Sequence, residues 1–247
     1  MIFINRGRDF EIKFANALND HYFNELNSNL KRFITFIFKD FNLNDKIYCK
    51  KIRKNEKADI FIKIGSNIKY ISLKSGSENS IHVEKLRQFI NFLLNLGVEK
   101  NIIDNLLIYH YGDDTLIGNG KKRYSANESK LRYKDEIMKF NNFISKSNTM
   151  VEIIDRFIFV GNDVSNNRVD AIYYGDLDIG IWCTRKELLN YCLKHKCMHI
   201  NTPHFSSLVY QNWCRNVLFN KKSESHREYI QIKWFSILSD LTKIRNN

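Results

Sequence analysis

Lys57-Ala58-Asp59-Ile60-Phe61-Ile62-Lys63-Ile64-Gly65-Ser66-Asn67-Ile68-Lys69-Tyr70-Ile71-Ser72-Leu73-Lys74 reads as a β-hairpin. Ile60, Ile62 and Ile64 alternate along the first strand, Ile68, Tyr70 and Leu73 supply apolar side chains to the second, and Gly65-Ser66-Asn67 makes the turn. A hairpin sets the start of its first strand beside the end of its second. Asp59 and Lys74 are therefore predicted to be neighbours at one end of a sheet. A carboxylate and an ammonium held there can form a plain ion pair, or the hub of a site that hydrolyses phosphodiesters.

Upstream, Phe10, Phe14, Ala17, Leu18 and Phe23 recur at helical spacing after a capping Asp9. Leu30, Phe33, Ile34, Ile37 and Phe41 mark a second helix starting near Ser28. A strand is predicted over 46–53, ahead of the hairpin strands 58–64 and 68–74. Downstream, the polar loop 75–80 leads to a predicted helix over 82–96, ended by Gly97, and then to a buried strand over 106–111. Helix, hairpin, helix and returning strand make an α/β order with a mixed central sheet flanked by helices. After a polar loop over 112–126 come a helix over 127–145, strands near 151–160, 169–174 and 178–182, and a helix over 185–194. Further strands, 207–215 and 228–238, flank the basic, serine-rich stretch 220–227. Three consecutive parts are expected, packed as one unit: a core over 1–111, a loop-and-helix insertion over 112–150 and a β-rich part over 151–247.

The 247 residues suffice for a buried core, and a single proline with ten glycines argues against a long flexible linker. The net charge of +12 and a pI near 9.4 point to a polyanionic partner, with nucleic acid first. The other source of such a charge is a lysine- and asparagine-rich proteome. Five cysteines, an odd number in a chain this long, argue against a disulfide framework and fit a reducing cytoplasm. Residues 1–6 show no apolar run with a cleavage site, and the run Phe33–Phe38 is too short to span a bilayer, so no membrane association is expected.

Phosphodiester hydrolysis calls for a divalent ion to neutralise the phosphate and an ammonium to stabilise charge or activate water. Magnesium takes oxygen ligands, commonly one or two carboxylates with substrate phosphate and water. Asp59 offers a carboxylate, Ser72 a hydroxyl and Leu73 a peptide carbonyl. Ser72 and Lys74 share one face of their strand, with Leu73 opposite.

Asp59, with Lys74 fifteen positions later, after a glycine-turn hairpin and before a Ser/Gly loop, resembles the core motif of the PD-(D/E)xK nuclease superfamily. It is most similar to small type II restriction endonucleases. The likeness covers about residues 9–111 and departs from the pattern twice: Ala58 stands in place of Pro, and Ser72 in place of an acidic residue. Some members recruit a carboxylate from the following helix, a part that Glu84 fills, with Glu78 as an alternative. Glu11 matches a carboxylate that the superfamily often carries on its first helix. The resemblance implies a restriction-endonuclease-like fold and Mg²⁺-dependent DNA cleavage, with Mn²⁺ able to substitute, leaving 5′-phosphates. The implied catalytic set is Asp59, Lys74, Ser72, Glu84 and Glu11; the implied metal ligands are Asp59, the Leu73 carbonyl, Glu84 and Glu11. A double-strand cut by a monomer needs two visits, and by a homodimer two sites. Other nucleases on the same fold, acting on branched or damaged DNA, stay open, as does a DNA-binding protein with a decayed site.

The C-terminal part is rich in side chains that read base edges or hold phosphates. Gln211, Asn212, Arg215, Asn216 and Gln231 are candidates for bases, and Lys221, Lys222, Arg227 and Lys233 for the backbone. Ser75, Ser77, Asn79, His82, Lys121 and Lys122 are added from the loops beside the candidate site. Alternation over Tyr229–Trp234 sets Tyr229, Gln231 and Lys233 on one face. The alternative is a hairpin with a solvated polar face. Cys192, His195, Cys197, His199, His204 and Cys214 lie in one neighbourhood but lack the spacing of a zinc knuckle, so zinc is not expected. Asp113 and Asp114 read as an acidic turn.

Overall fold

The computed structural model describes residues 6–52, 56–76, 79–145, 147–162, 167–195, 201–212 and 221–246. Its strands are β1 (Ile47–Lys51), β2 (Ile60–Ile64), β3 (Asn67–Lys74), β4 (Ser80–Lys85), β5 (Ala171–Gly175), β6 (Gly180–Thr184), β7 (His204–Phe205), β8 (Leu208–Asn212) and β9 (Tyr229–Lys233). The chain divides into two units: Met1–Glu78 with Ile158–Tyr191 and Ser236–Asn247, and Asn79–Phe157 with Cys192–Phe235. This division is interleaved and does not follow the consecutive order 1–111, 112–150, 151–247. The physical reason is that β5 and β6 return to the sheet begun by the hairpin.

The first unit is built on that mixed sheet, in the order β1-β2-β3-β5-β6. β3 and β5 run parallel and the other neighbours antiparallel. One face carries Ile60, Ile62, Ile64, Ile71 and Leu73 into a core with Phe14, Leu18, Phe33 and Ile34 from the helices Arg6–Leu18 and Ser28–Ile37. The Asn27 side chain caps the second helix by accepting the Leu30 N–H at 2.8 Å. Tyr173 on β5 anchors the middle of this core, with Phe14 and Phe33 edge-on to its ring and Trp182 stacked on it. Each large apolar side chain so buried contributes about 1.5–3 kcal/mol. The pleat then turns Ser72 and Lys74 to the face opposite the helices.

The second unit holds the antiparallel sheet β4-β9-β8-β7. Phe89, Phe140, Phe157, Phe205 and Tyr210 are buried here, with Phe157 and Phe205 in ring contact. Several expectations are corrected from residue 80 onward. The helix expected from residue 82 starts at Leu86, and residues 80–85 form β4. The strand expected over 106–111 is part of the helix Lys100–Tyr111, whose buried Ile103, Leu106 and His110 follow helical spacing and which Gly112 ends in the left-handed region. The strand expected over 151–160 is the helix Ser147–Asp155 followed by a π-helical turn, Arg156–Val160, with Met150, Ile153, Ile154 and Phe157 buried at helical spacing. The expected helix 127–145 is broken at Tyr133 into Ala126–Arg132 and Lys134–Ile144. The stretch expected as a basic loop contains the helix Lys221–Arg227, and the strand expected to reach 238 ends at Lys233, before the helix Ile237–Asn246. Among the described residues no helix is long and apolar enough to cross a membrane.

Candidate active site

Asp59 immediately precedes β2, and its backbone is fixed from both sides. Its N–H donates to the Ile71 carbonyl at 2.9 Å, and its own carbonyl accepts the Ile52 N–H at 2.9 Å. Its Oδ2 accepts the Leu73 N–H at 2.7 Å and the Ser72 hydroxyl at 3.1 Å. Lys74 Nζ stands 3.8 Å from the same oxygen, and the two side chains are about one-fifth exposed. The hairpin thus brings Asp59 and Lys74 together as the sequence predicts. Two tighter donors occupy the carboxylate oxygen, and the ammonium stands off from it. Ser72 is buried, and its hydroxyl hydrogen is directed at Asp59. The sequence offers the Leu73 carbonyl as a ligand; in the structure the Leu73 amide is what touches Asp59. No side-chain pattern signals that contact. Beyond Lys74, the chain turns at Gly76, whose carbonyl accepts the hydroxyl of Tyr174, the residue paired with Lys74 across β3 and β5.

The other two proposed carboxylates have partners of their own. Glu11 forms an ion pair with Lys51. Lys51 pairs with Ile60 across β1 and β2 and so belongs to the helix-packed face. Glu84 lies on β4 and not on a helix, which corrects the basis on which it was recruited. It is fully buried and takes a two-pronged contact from Arg156, at 2.6 and 3.2 Å, with His82 Nε2 at 3.3 Å. Burial works against its ionisation, but the hydrogen bonds from His82 and Arg156 outweigh it, so the carboxyl titrates below its ordinary value. Glu78 lies outside the described residues. Among the described residues no group of three or more His, Cys, Asp or Glu is placed to hold a metal.

The candidates for DNA contact sort by exposure. Gln211 and Gln231 are paired across β8 and β9, and Lys233 follows two residues on, all half-buried on one face while Ile230 and Ile232 are buried on the other. Gln231 also donates to Ser80 Oγ at 2.9 Å. Lys121, Lys122 and Lys221 are exposed, Lys122 lying 4.7 Å over the Tyr124 ring. Ser75 and Asn79 are half-buried, and Asn79 accepts the Trp234 N–H through its carbonyl. Three candidates are corrected. Asn212 pairs with Ile230 and donates inward to the His110 carbonyl at 3.0 Å. His82 is buried on β4, 5.1 Å from the Phe157 ring. Arg227 is buried on Asp113 at 2.7 Å, with its guanidinium over the Tyr111 ring. A lone sequence window cannot show that these groups meet interior partners.

Asp114 is likewise engaged, by Arg132, Tyr124 and Tyr133; the Arg132 hydrogen bonds hold its carboxyl below the ordinary range. Cys49, Cys183 and Cys192 are buried, and burial pushes the Cys49 thiol up to about 12. Ser77, Cys197, His199, Cys214, Arg215 and Asn216 lie outside the described residues, as does part of the 1–6 segment.

No family model matches the chain, and neither does a curated protein. A solved structure of the restriction endonuclease MspI in complex with its cognate DNA is similar, with a TM-score of 0.54. The match covers 92% of this chain and 88% of that one at 8% sequence identity. The chain has the fold of a restriction endonuclease. At that identity the likeness is one of fold, so the chemistry of this chain rests on its own residues.

Proposed function

We propose that the chain is a DNA endonuclease of the restriction type, hydrolysing phosphodiester bonds at a short site and leaving 5′-phosphates. The observation that carries this reading is the Asp59–Lys74 pair, 3.8 Å apart at the end of a hairpin within a restriction-endonuclease-like fold. The MspI structure holds cognate DNA, and the net charge of +12 fits the same class of partner.

Magnesium fits these donors only in the manner of an ion held largely by water and substrate phosphate, since one carboxylate, Asp59, stands at the pair. Asp59 and the Leu73 carbonyl are the groups that would hold it. When bound, such an ion neutralises phosphate charge and makes water more acidic. Lys74 sits where an ammonium can stabilise charge developing on a phosphate oxygen or orient the attacking water. Ser72 and the Leu73 amide fix the Asp59 carboxylate in direction. Glu84 is set aside because its oxygens are taken by Arg156 and His82. Glu11, held by Lys51, would have to leave that partner to serve. Gln211 and Gln231 would read base edges, with Lys233, Lys121, Lys122 and Lys221 on phosphates.

The test is incubation of the purified protein with a sequenced plasmid in Mg²⁺ or Mn²⁺, followed by mapping of the cut ends. Discrete ends at one short sequence are expected. Intact plasmid in both metals would sink the enzyme reading. Cutting confined to branched or damaged DNA would move the chain to another nuclease of this fold. A second reading, a DNA-binding protein without catalysis, is favoured by Ser72 at the usually acidic position. Its signature is a Lys74→Ala variant that binds DNA as the parent does while neither cuts.

A further inference from the structure

At the other end of β3 from Lys74, the first unit carries an open pocket of about 690 Å³. Lys39, Lys69, Arg168, Arg185 and Lys186 line it, against two carboxylates, Asp40 and Asp170. Lys69 is five residues before Lys74, which at ~3.3 Å per residue puts the two Cα atoms about 17 Å apart along the strand. We propose that this pocket is a second site, binding a free phosphorylated ligand of nucleotide size.

The charge argument is local. Asp170 is already balanced within the wall, by Lys69 at 3.2 Å and by the Tyr70 N–H at 2.8 Å. That leaves Lys39, Arg168 and Lys186 beside Asp40 around one concavity. Like charges gathered in this way repel one another, and a polyanion seated among them relieves the repulsion. Arginine forks suit phosphate oxygens in particular. The floor is apolar, from Ile37, Phe38 and Val169, and the volume lies within the range of small-molecule sites. A cationic rim over an apolar floor fits a phosphate chain attached to a less polar body. These three cations come from three separate stretches of sequence, so no motif announces them.

The test is titration calorimetry with ATP, pyrophosphate and adenosine, in chelator and at constant ionic strength. ATP and pyrophosphate are expected to bind saturably and adenosine not. Arg168→Ala and Lys186→Ala should each weaken ATP about tenfold while duplex DNA affinity measured by anisotropy changes less than twofold. Lys139→Ala, exposed and outside the pocket, should leave ATP binding as it was. The proposal is overturned if the parent shows no saturable ATP binding, if Lys139→Ala weakens ATP as much as the pocket variants, or if those variants lose DNA affinity in parallel. That last result would make the pocket part of the duplex surface. The outcome is independent of whether plasmid is cut.

Discussion

Ser72 changes what Asp59 and Lys74 can do. An acidic side chain in its place would set a second negative charge beside Asp59. The hydroxyl instead donates to Oδ2 at 3.1 Å and helps the Leu73 amide fix that oxygen, while Lys74 stays 3.8 Å away. A partly exposed pair at that distance adds no more than about 1 kcal/mol to stability. Lys74→Ala should therefore leave the melting temperature nearly unchanged yet slow DNA cleavage by at least ~10²-fold. Equal cleavage by parent and variant would place the chemistry elsewhere. Glu84 presents the opposite balance: it is buried, and its pKa in the folded protein lies below the ordinary value of 4.5. Its contribution to stability is full above that ordinary value and is lost as pH falls through the depressed one. Glu84→Gln should cost about 3 kcal/mol at pH 7, by removing the buried charge that partners the half-buried Arg156. The gap to the parent should close on acidification below about pH 4.5. Urea unfolding at a series of pH values checks this, and a gap constant with pH would show that Glu84 is not the group titrating.

Among the elements, the helix Lys221–Arg227 shows why charge was a poor guide to exposure. Arg227 turns inward to Asp113 at 2.7 Å and to the Tyr111 carbonyl at 3.3 Å. Asp113 also accepts from the Thr115 and Gly120 amides, so one ion pair ties this helix to the loop after Lys100–Tyr111. Arg227→Ala should destabilise by about 3–5 kcal/mol, and Asp113→Ala added to it should cost much less than it does alone. Additive losses in thermal unfolding would mean the two side chains are not coupled. The hairpin was legible because period-two isoleucines and a glycine turn act locally, and the Asp59–Lys74 contact follows from that register alone. β4 was not, because the side chains it buries are His82 and Glu84, and the partner that makes this possible, Arg156, lies 72 residues away. The runs 106–111 and 151–160 were misread because a short apolar stretch has no visible period. Their flanks held the answer, with Ile103 before one run and Met150 before the other continuing the helical spacing.

For the whole molecule, a charge of +12 makes a quantitative statement about DNA. Binding through phosphates releases counterions, and the observed affinity then falls with salt at about 0.9 log units per neutralised phosphate per log unit of salt. Contact with six to ten phosphates would cost roughly 10³–10⁵ in affinity between 50 and 200 mM salt. The charged and polar candidates should separate in that measurement. Lys121→Ala with Lys122→Ala, on the exposed loop, should lower affinity for all sequences and reduce the slope by about two. Gln211→Ala or Gln231→Ala should leave the slope as it was and cost about 1–3 kcal/mol only on the preferred site. Their pairing across β8 and β9 places the two amides on adjacent strands of one face, so the double variant should lose less than the sum of the singles. Fluorescence anisotropy across a salt series, with preferred and scrambled duplexes, measures all of these. If Gln211→Ala and Gln231→Ala weaken both duplexes equally, the β8–β9 face carries affinity and the reading of bases belongs to other residues.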